Sequence, residues 1–199
     1  YSPLVPKNSR ATVVTRVQEV KVKNPWVLDG TGEIVAIADT GLDNATTCDT
    51  LAAAGAAGVP VPCAIPNLHP DFVGVIIKAI DRRGLGTPSD TIPGDGGHGT
   101  HVSGTAVGRG VGSAQATGVA TGAFLVFQRG FGSARVTEAA GYGTGNNDIK
   151  IHSQSTGENV GQGLYTASSN TWDMGAWNNK DMAVFIAASN EGDDVFPES

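Results

Sequence analysis

Two residues of this sequence, Asp39 and His98, have the types and settings that acid–base chemistry requires. Asp39 follows the apolar run IVAIA at residues 34–38 and opens the triplet DTG. His98 opens the segment HGTHVSGTAV, whose small residues predict a helix packed closely against a sheet, over residues 98–107. A histidine is the usual general base for a serine nucleophile, and a carboxylate fixes its tautomer and orientation. The two residues therefore predict a base at His98 that Asp39 orients.

The triplet Asp39-Thr40-Gly41 has a second interpretation, because aspartic proteases use two such aspartates that share one proton. That mechanism needs a second Asp-Thr-Gly or Asp-Ser-Gly, and neither recurs in the 199 residues. A homodimer would supply the second aspartate, but the subunits of such dimers are mostly strand, whereas this chain alternates strands and helices. The sequence therefore favours the pairing with His98.

The elements that must position these residues follow from the apolar pattern. Apolar runs bounded by turns predict buried strands, at residues 33–38, 72–80, 123–128, 149–152 and 182–188. Helices are predicted at residues 98–107, 136–143 and 165–179, and residues 43–70 are predicted to form an insertion loop. This alternation predicts an α/β fold, a mostly parallel buried sheet with helices on both faces. No linker divides residues 1–199, so we expect them to belong to one domain.

Composition and charge exclude some classes of partner and predict an extracellular protein. The net charge is −6, which argues against nucleic acid or an anionic membrane as the main partner. No apolar run approaches the roughly 20 residues of a membrane span. The start at Tyr1, without an initiator Met, is typical of a processed secreted protein, although a trimmed chain would start in the same way. Cys48 and Cys63 lie close enough to close a short loop by a disulfide, the alternative being two unpaired thiols.

Three segments resemble, in order, the three signatures of the subtilase family, the subtilisin-like serine proteases. These segments are VAIADTGLD at 35–43, GHGTHVSGT at 97–105 and FIAASNEGD at 185–193. The resemblance extends over residues 25–194. The segment HPDF at 69–72 is similar to the family's stretch after the aspartate, and LVFQ and IHSQSTG resemble large bacterial alkaline subtilases. Three ordered motifs on the predicted elements are far more specific than one motif alone. The resemblance implies a secreted enzyme that hydrolyses polypeptides and requires no cofactor.

The resemblance also implies roles for the residues that match the motifs. It makes Asp39 the orienting carboxylate and His98 the general acid and base. Asn190 matches the asparagine whose amide donates to the oxyanion, a contact worth about 2.7–4 kcal/mol in subtilisin itself. Substrate binding is implied for residues at two further edges, which are Ser155, Thr156, Gly157 and Ala188 around the primary specificity pocket, and Gly130 and Gly132 on the second edge.

The chain departs from the family pattern at the nucleophile. The family's serine lies in a Gly-Thr-Ser-Met-Ala stretch downstream of the asparagine, and no Gly-Thr-Ser occurs in these 199 residues. Three explanations stay open: a chain nicked after Ser199, an incomplete sequence, or an inactive relative that acts as a binding module. We expect a second chain or C-terminal segment that completes the domain and supplies the serine.

Metal sites are a minor expectation. Subtilisin has a metal-binding loop in the helix after the histidine, but residues 108–118 of this chain contain no Asp, Glu or Asn. Structural calcium elsewhere is an option at Asp43-Asn44 or Asp193-Asp194, although solvated carboxylates are the simpler interpretation. His101 lies three residues after His98 without the Glu of a zinc-protease helix, so we predict a packed structural histidine.

Overall fold

The computed structural model describes residues 15–23, 28–51, 60–142, 148–156 and 164–188. The helices in these ranges are α1 (Val17–Lys23), α2 (His98–Val107), α3 (Ala134–Ala140) and α4 (Ala167–Asn178). The strands are β1 (Ile34–Asp39), β2 (Cys48–Asp49), β3 (Ile76–Asp81), β4 (Phe124–Arg129), β5 (Ile151–Gln154) and β6 (Ala183–Ile186). Single 3₁₀ turns occur at Pro70–Phe72 and Ala114–Ala116.

The six strands form one sheet in the order β2-β3-β4-β1-β5-β6. All neighbouring pairs are parallel except β2 and β3, which are antiparallel at one edge. Strand β1 lies between β4 and β5, and all six of its residues are buried, as its unbroken apolar sequence requires. The predicted α/β fold with a mostly parallel sheet is confirmed.

Helices cover both faces of the sheet and divide the core in two. Ile37 of β1 and Phe127 of β4 pack with Val107 on the face that α2 covers. Ala36 of β1 packs with Val136 of α3 on the opposite face. Because successive residues of a strand point to opposite faces, Asp39 points to the same face as Ile37. The end of β1 therefore presents a carboxylate to the layer that contains α2.

Helix α2 packs unusually close to the chain after β1. Its buried residues, Gly99, Ser103 and Val107, are spaced four apart and form one stripe. A Cβ atom at position 99 would lie 3.0 Å from the Asp39 Cβ and closer still to the carbonyl oxygen of Gly41. A side chain at Gly99 would therefore push the start of α2 away from Asp39.

Two predictions for residues 43–80 are corrected. The strand predicted at 72–80 starts only at Ile76, because Phe72 ends a 3₁₀ turn in which the His69 side chain accepts from the Asp71 amide. The predicted loop contains β2, which is too short to have a periodic signal. The predicted disulfide joins Cys48 of β2 to Cys63. None of the helices in the described ranges has both the length and the apolar composition to cross a membrane.

Candidate active site

Asp39 and His98 meet at the carboxyl end of the central strand. His98 Nδ1 lies 2.7 Å from Asp39 Oδ1, although the two residues are 59 positions apart. Asp39 is fully buried, and the same oxygen accepts from the Thr40 amide at 2.7 Å. A carboxylate only accepts hydrogen bonds, so Nδ1 carries the proton and the lone pair of a neutral ring is on Nε2. The His98 side chain is 48 % exposed, which leaves the ring accessible to a reacting group.

Side chains from two loops hold the start of α2, which has no cap of its own because its N-cap residue is Gly97. The Thr40 hydroxyl accepts from the Gly99 amide at 3.0 Å. The Asp90 carboxylate accepts from the Thr100 amide at 3.3 Å and from the Thr100 hydroxyl at 2.6 Å. These bonds satisfy amides that a helix start leaves unpaired, and the negative charge of Asp90 suits the positive end of the helix.

Sequence reasoning missed both Asp90 and Thr100. Capping signals are sought directly before a helix, whereas Asp90 lies eight positions before His98 in a polar loop. Thr100 also accepts from the Asp43 amide at 2.7 Å, so its hydroxyl joins α2 to the chain that follows β1. The sequence offers only a weak signal for this contact, which is an acidic residue upstream of a helix without a capping side chain.

Arg129, the last residue of β4, is a second residue that sequence reasoning missed. It pairs with Asp39 in the sheet register and is fully buried. Its Nε donates to the Thr40 carbonyl at 2.7 Å and its Nη1 donates to the Thr87 carbonyl at 2.8 Å. Its Nη2 forms an ion pair with Asp95. A buried cation needs such partners. The signal in the sequence was therefore a charged residue, Arg129, at the end of a mostly apolar strand.

The residues predicted on the first substrate-binding edge lie side by side where the structure describes them. Ser155 and Thr156 follow β5, and Ala188 follows the neighbouring β6. The two segments stay paired beyond the ends of β5 and β6, since the Ala187 amide donates to the Gln154 carbonyl at 3.1 Å. Gly157 lies outside the described residues.

The second predicted edge is joined to the first by a side chain that sequence reasoning missed. Gly130 and Gly132 follow β4 with φ angles of 149° and 101°, which favour glycine. The Gly132 amide donates to Gln154 Oε1 at 3.2 Å, and Gln154 Nε2 donates to the Thr156 hydroxyl at 2.7 Å. Buried Gln154 therefore links the two predicted substrate-binding edges.

The remaining predicted positions are placed as follows. Asn190 and Asp193-Asp194 lie outside the described residues, so the structure does not place the predicted oxyanion donor. Asp43 uses its Oδ2 to accept from the His69 amide at 2.5 Å. Over the described ranges, no group of three or more His, Cys, Asp or Glu residues is placed to hold a metal ion. The prediction that His101 is packed is wrong, because its side chain is exposed on α2.

Comparison with known proteins identifies the family of the chain. The model of the subtilase family matches residues 30–198, which is most of the sequence. No curated protein matches the chain significantly. The matched range includes the Asp39–His98 hydrogen bond and every strand of the sheet. The chain therefore belongs to the subtilase family, whose members are in general serine peptidases.

Proposed function

We propose that the chain supplies the orienting acid and the general base of a secreted, subtilisin-type serine endopeptidase. The observation that carries the proposal is the 2.7 Å hydrogen bond between Asp39 and His98, in a chain of this family. The disulfide between Cys48 and Cys63 supports an extracellular location. The substrates are polypeptides, with no nucleic acid or membrane as partner.

The mechanism follows from the tautomer that Asp39 imposes. His98 Nε2 takes the proton of a serine hydroxyl as that oxygen attacks the substrate carbonyl, and Asp39 stabilises the imidazolium that forms. His98 then gives the proton to the leaving amine, and water releases the acyl group by the same steps in reverse. Asn190 donates its amide to the oxyanion. Apart from the substrate and water, these steps use only protein groups, so no cofactor is required and calcium would have a structural role alone.

We assign the nucleophile to a further segment or second chain that packs on β6 and α4. Phe185 and Ile186 are 58 % and 45 % exposed, although adjacent strand residues point to opposite faces of the sheet. Met174 and Trp177, three residues apart on α4, are also exposed. These four residues surround the edge of the sheet at β6, on both of its sides, and we call them together the β6–α4 apolar face. Proteins rarely leave such a face and a sheet edge open to water, which supports a covering segment.

A second candidate function is that of a catalytically inactive binding module. The observation in its favour is the lack of a Gly-Thr-Ser stretch in the 199 residues. Such a module would keep the Asp39–His98 pair without a nucleophile to activate.

Hydrolysis of casein by the native protein tests the proposal. We expect cleavage by the wild type, almost none by Asp39→Asn, and an additional or extended polypeptide in the intact mass. Asp81→Asn is the matched control, because Asp81 ends the nearby strand β3 and its carboxylate accepts from loop amides, those of Arg83, Leu85 and Gly86. Absence of cleavage, with no polypeptide beyond these residues, would contradict the endopeptidase and favour the inactive binding module.

A further inference from the structure

We propose that Arg129 is a positioning residue for His98, a buried clamp that fixes the loop before the base against the loop after the acid. This inference rests on the proposed function, because it concerns the same pair of residues. Among the described residues, the Arg129 side chain forms no hydrogen bond with the Asp39 carboxylate or the His98 ring, and it acts through Thr40 and Asp95.

The clamp joins the two loops at one point. On one side, Arg129 Nε donates to the carbonyl of Thr40, the residue next to Asp39. On the other side, its Nη2 pairs with Asp95, whose carbonyl accepts from the His98 amide at 3.4 Å. The path from acid to base therefore contains one guanidinium, the Asp95 side chain and short stretches of backbone.

Only an arginine can make these contacts together. The guanidinium is planar and presents donors in a fixed fork, whereas a lysine offers one compact ammonium group. Three different nitrogens of Arg129 reach Thr40, Thr87 and Asp95. Burial adds to the effect, because the side chain is fully enclosed and has no solvent to replace a lost partner.

Asp95 itself is held from a second direction. Arg83 Nη1 lies 3.0 Å from the other Asp95 oxygen, and Asp95 is buried. The carboxylate thus sits between two guanidinium groups. Its position is set by β4 through Arg129 and by the loop after β3 through Arg83.

A second buried cation of the sheet, whose carboxylate partner is 44 % exposed, provides a control. Lys78 of β3 is 9 % exposed and pairs with Asp49 of β2, away from the loops of Asp39 and His98. Loss of either buried cation should lower stability. Only loss of Arg129 should change the alignment of His98.

The test compares Arg129→Lys with Lys78→Met in the native protein, at a temperature where thermal unfolding shows both to be folded. We expect Arg129→Lys to lower kcat about 10- to 100-fold with KM within about twofold, since small misplacements of catalytic groups have costs of this size. Lys78→Met should change kcat less than about threefold, because residues that are far apart and share no partners are only weakly coupled. If Arg129→Lys does not fold, Asp95→Asn should lower kcat in the same direction, because it weakens the same link.

A second readout does not require activity. The His98 Nδ1 proton, shared with Asp39, should give a low-field NMR resonance protected from exchange in the wild type and in Lys78→Met. We expect this resonance to exchange faster or disappear in Arg129→Lys. If the wild type hydrolyses no peptide, the proposed function fails while this comparison still tests the clamp. An unchanged resonance and unchanged kcat in a folded Arg129→Lys protein would overturn the inference.

Discussion

Strands β1 and β6 have similar apolar sequences and the same direction in the sheet, yet their surroundings are opposite. All of β1 is buried, and its last residue is hydrogen-bonded to His98, at the start of a helix that side chains from two loops hold. Three of the four residues of β6 are exposed, including the large side chains of Phe185 and Ile186. The comparison separates a fully enclosed strand, β1, from a sheet edge, β6, that is exposed on both faces and on which we propose that a further segment packs.

The largest expected effect tests the end of β1. Asp39→Asn should lower kcat by about four orders of magnitude, the loss seen when a triad carboxylate is replaced, because the amide no longer stabilises the correct histidine tautomer. Steady-state hydrolysis of a peptide substrate measures this effect. A fall in kcat of less than about tenfold would contradict the role of Asp39 as the orienting acid.

The next effect tests β6. If a further segment covers the β6–α4 apolar face, Phe185→Ala should lower the free energy of unfolding of the native protein by about 3–5 kcal/mol. Denaturant unfolding measures this change. Val73→Ala, at an apolar residue 62 % exposed in a remote turn, is the control and should stay within about 0.5 kcal/mol. A similarly small change at Phe185 would show that this face is open in the native protein.

Strand β5 joins the two regions and contains a buried histidine that should make stability depend on pH. Burial first, and then the nearby Arg135, lower the pKa of His152 to about 4. Neither ring nitrogen has a hydrogen-bond partner among the described residues. Between about pH 6.5 and pH 4 the unfolded chain takes up a proton that the folded chain does not, so this residue should lower stability by up to about 3 kcal/mol as the pH falls.

His152→Leu tests that pH dependence. The variant should lose less stability than the wild type between pH 7 and pH 4.5, because leucine has no proton to gain. Urea unfolding at the two pH values gives the difference, and carboxylates elsewhere contribute equally to both proteins. Parallel losses in the two proteins would contradict a buried neutral histidine.

The smallest effect concerns the link between the two predicted substrate-binding edges. Gln154→Leu removes the bonds to the Gly132 amide and the Thr156 hydroxyl. We expect KM to rise by about three- to tenfold, the cost of about one hydrogen bond, with kcat nearly unchanged. An equal fall in kcat would show that Gln154 acts on the transition state and not on substrate binding.

The sequence predicted the strand and the helix of the site better than the side chains that hold them in place. The bounds of α2 and the strand before Asp39 were predictable, because small-residue spacing and an unbroken apolar run are local signals. The supports from Asp90 and Arg129 leave only weak signals in the sequence, because they depend on contacts between segments distant in sequence. For the same reason, the apolar pattern of β6 did not distinguish an exposed edge from a buried centre.

The measurement that most directly tests the central claim is labelling of the native protein with a serine-directed fluorophosphonate, followed by peptide mapping. The account predicts one adduct, on a serine outside these 199 residues, and no adduct in His98→Ala. An adduct on a serine within these residues, or hydrolysis of peptides without any adduct, would contradict the claim that Asp39 and His98 activate a serine supplied by a further segment.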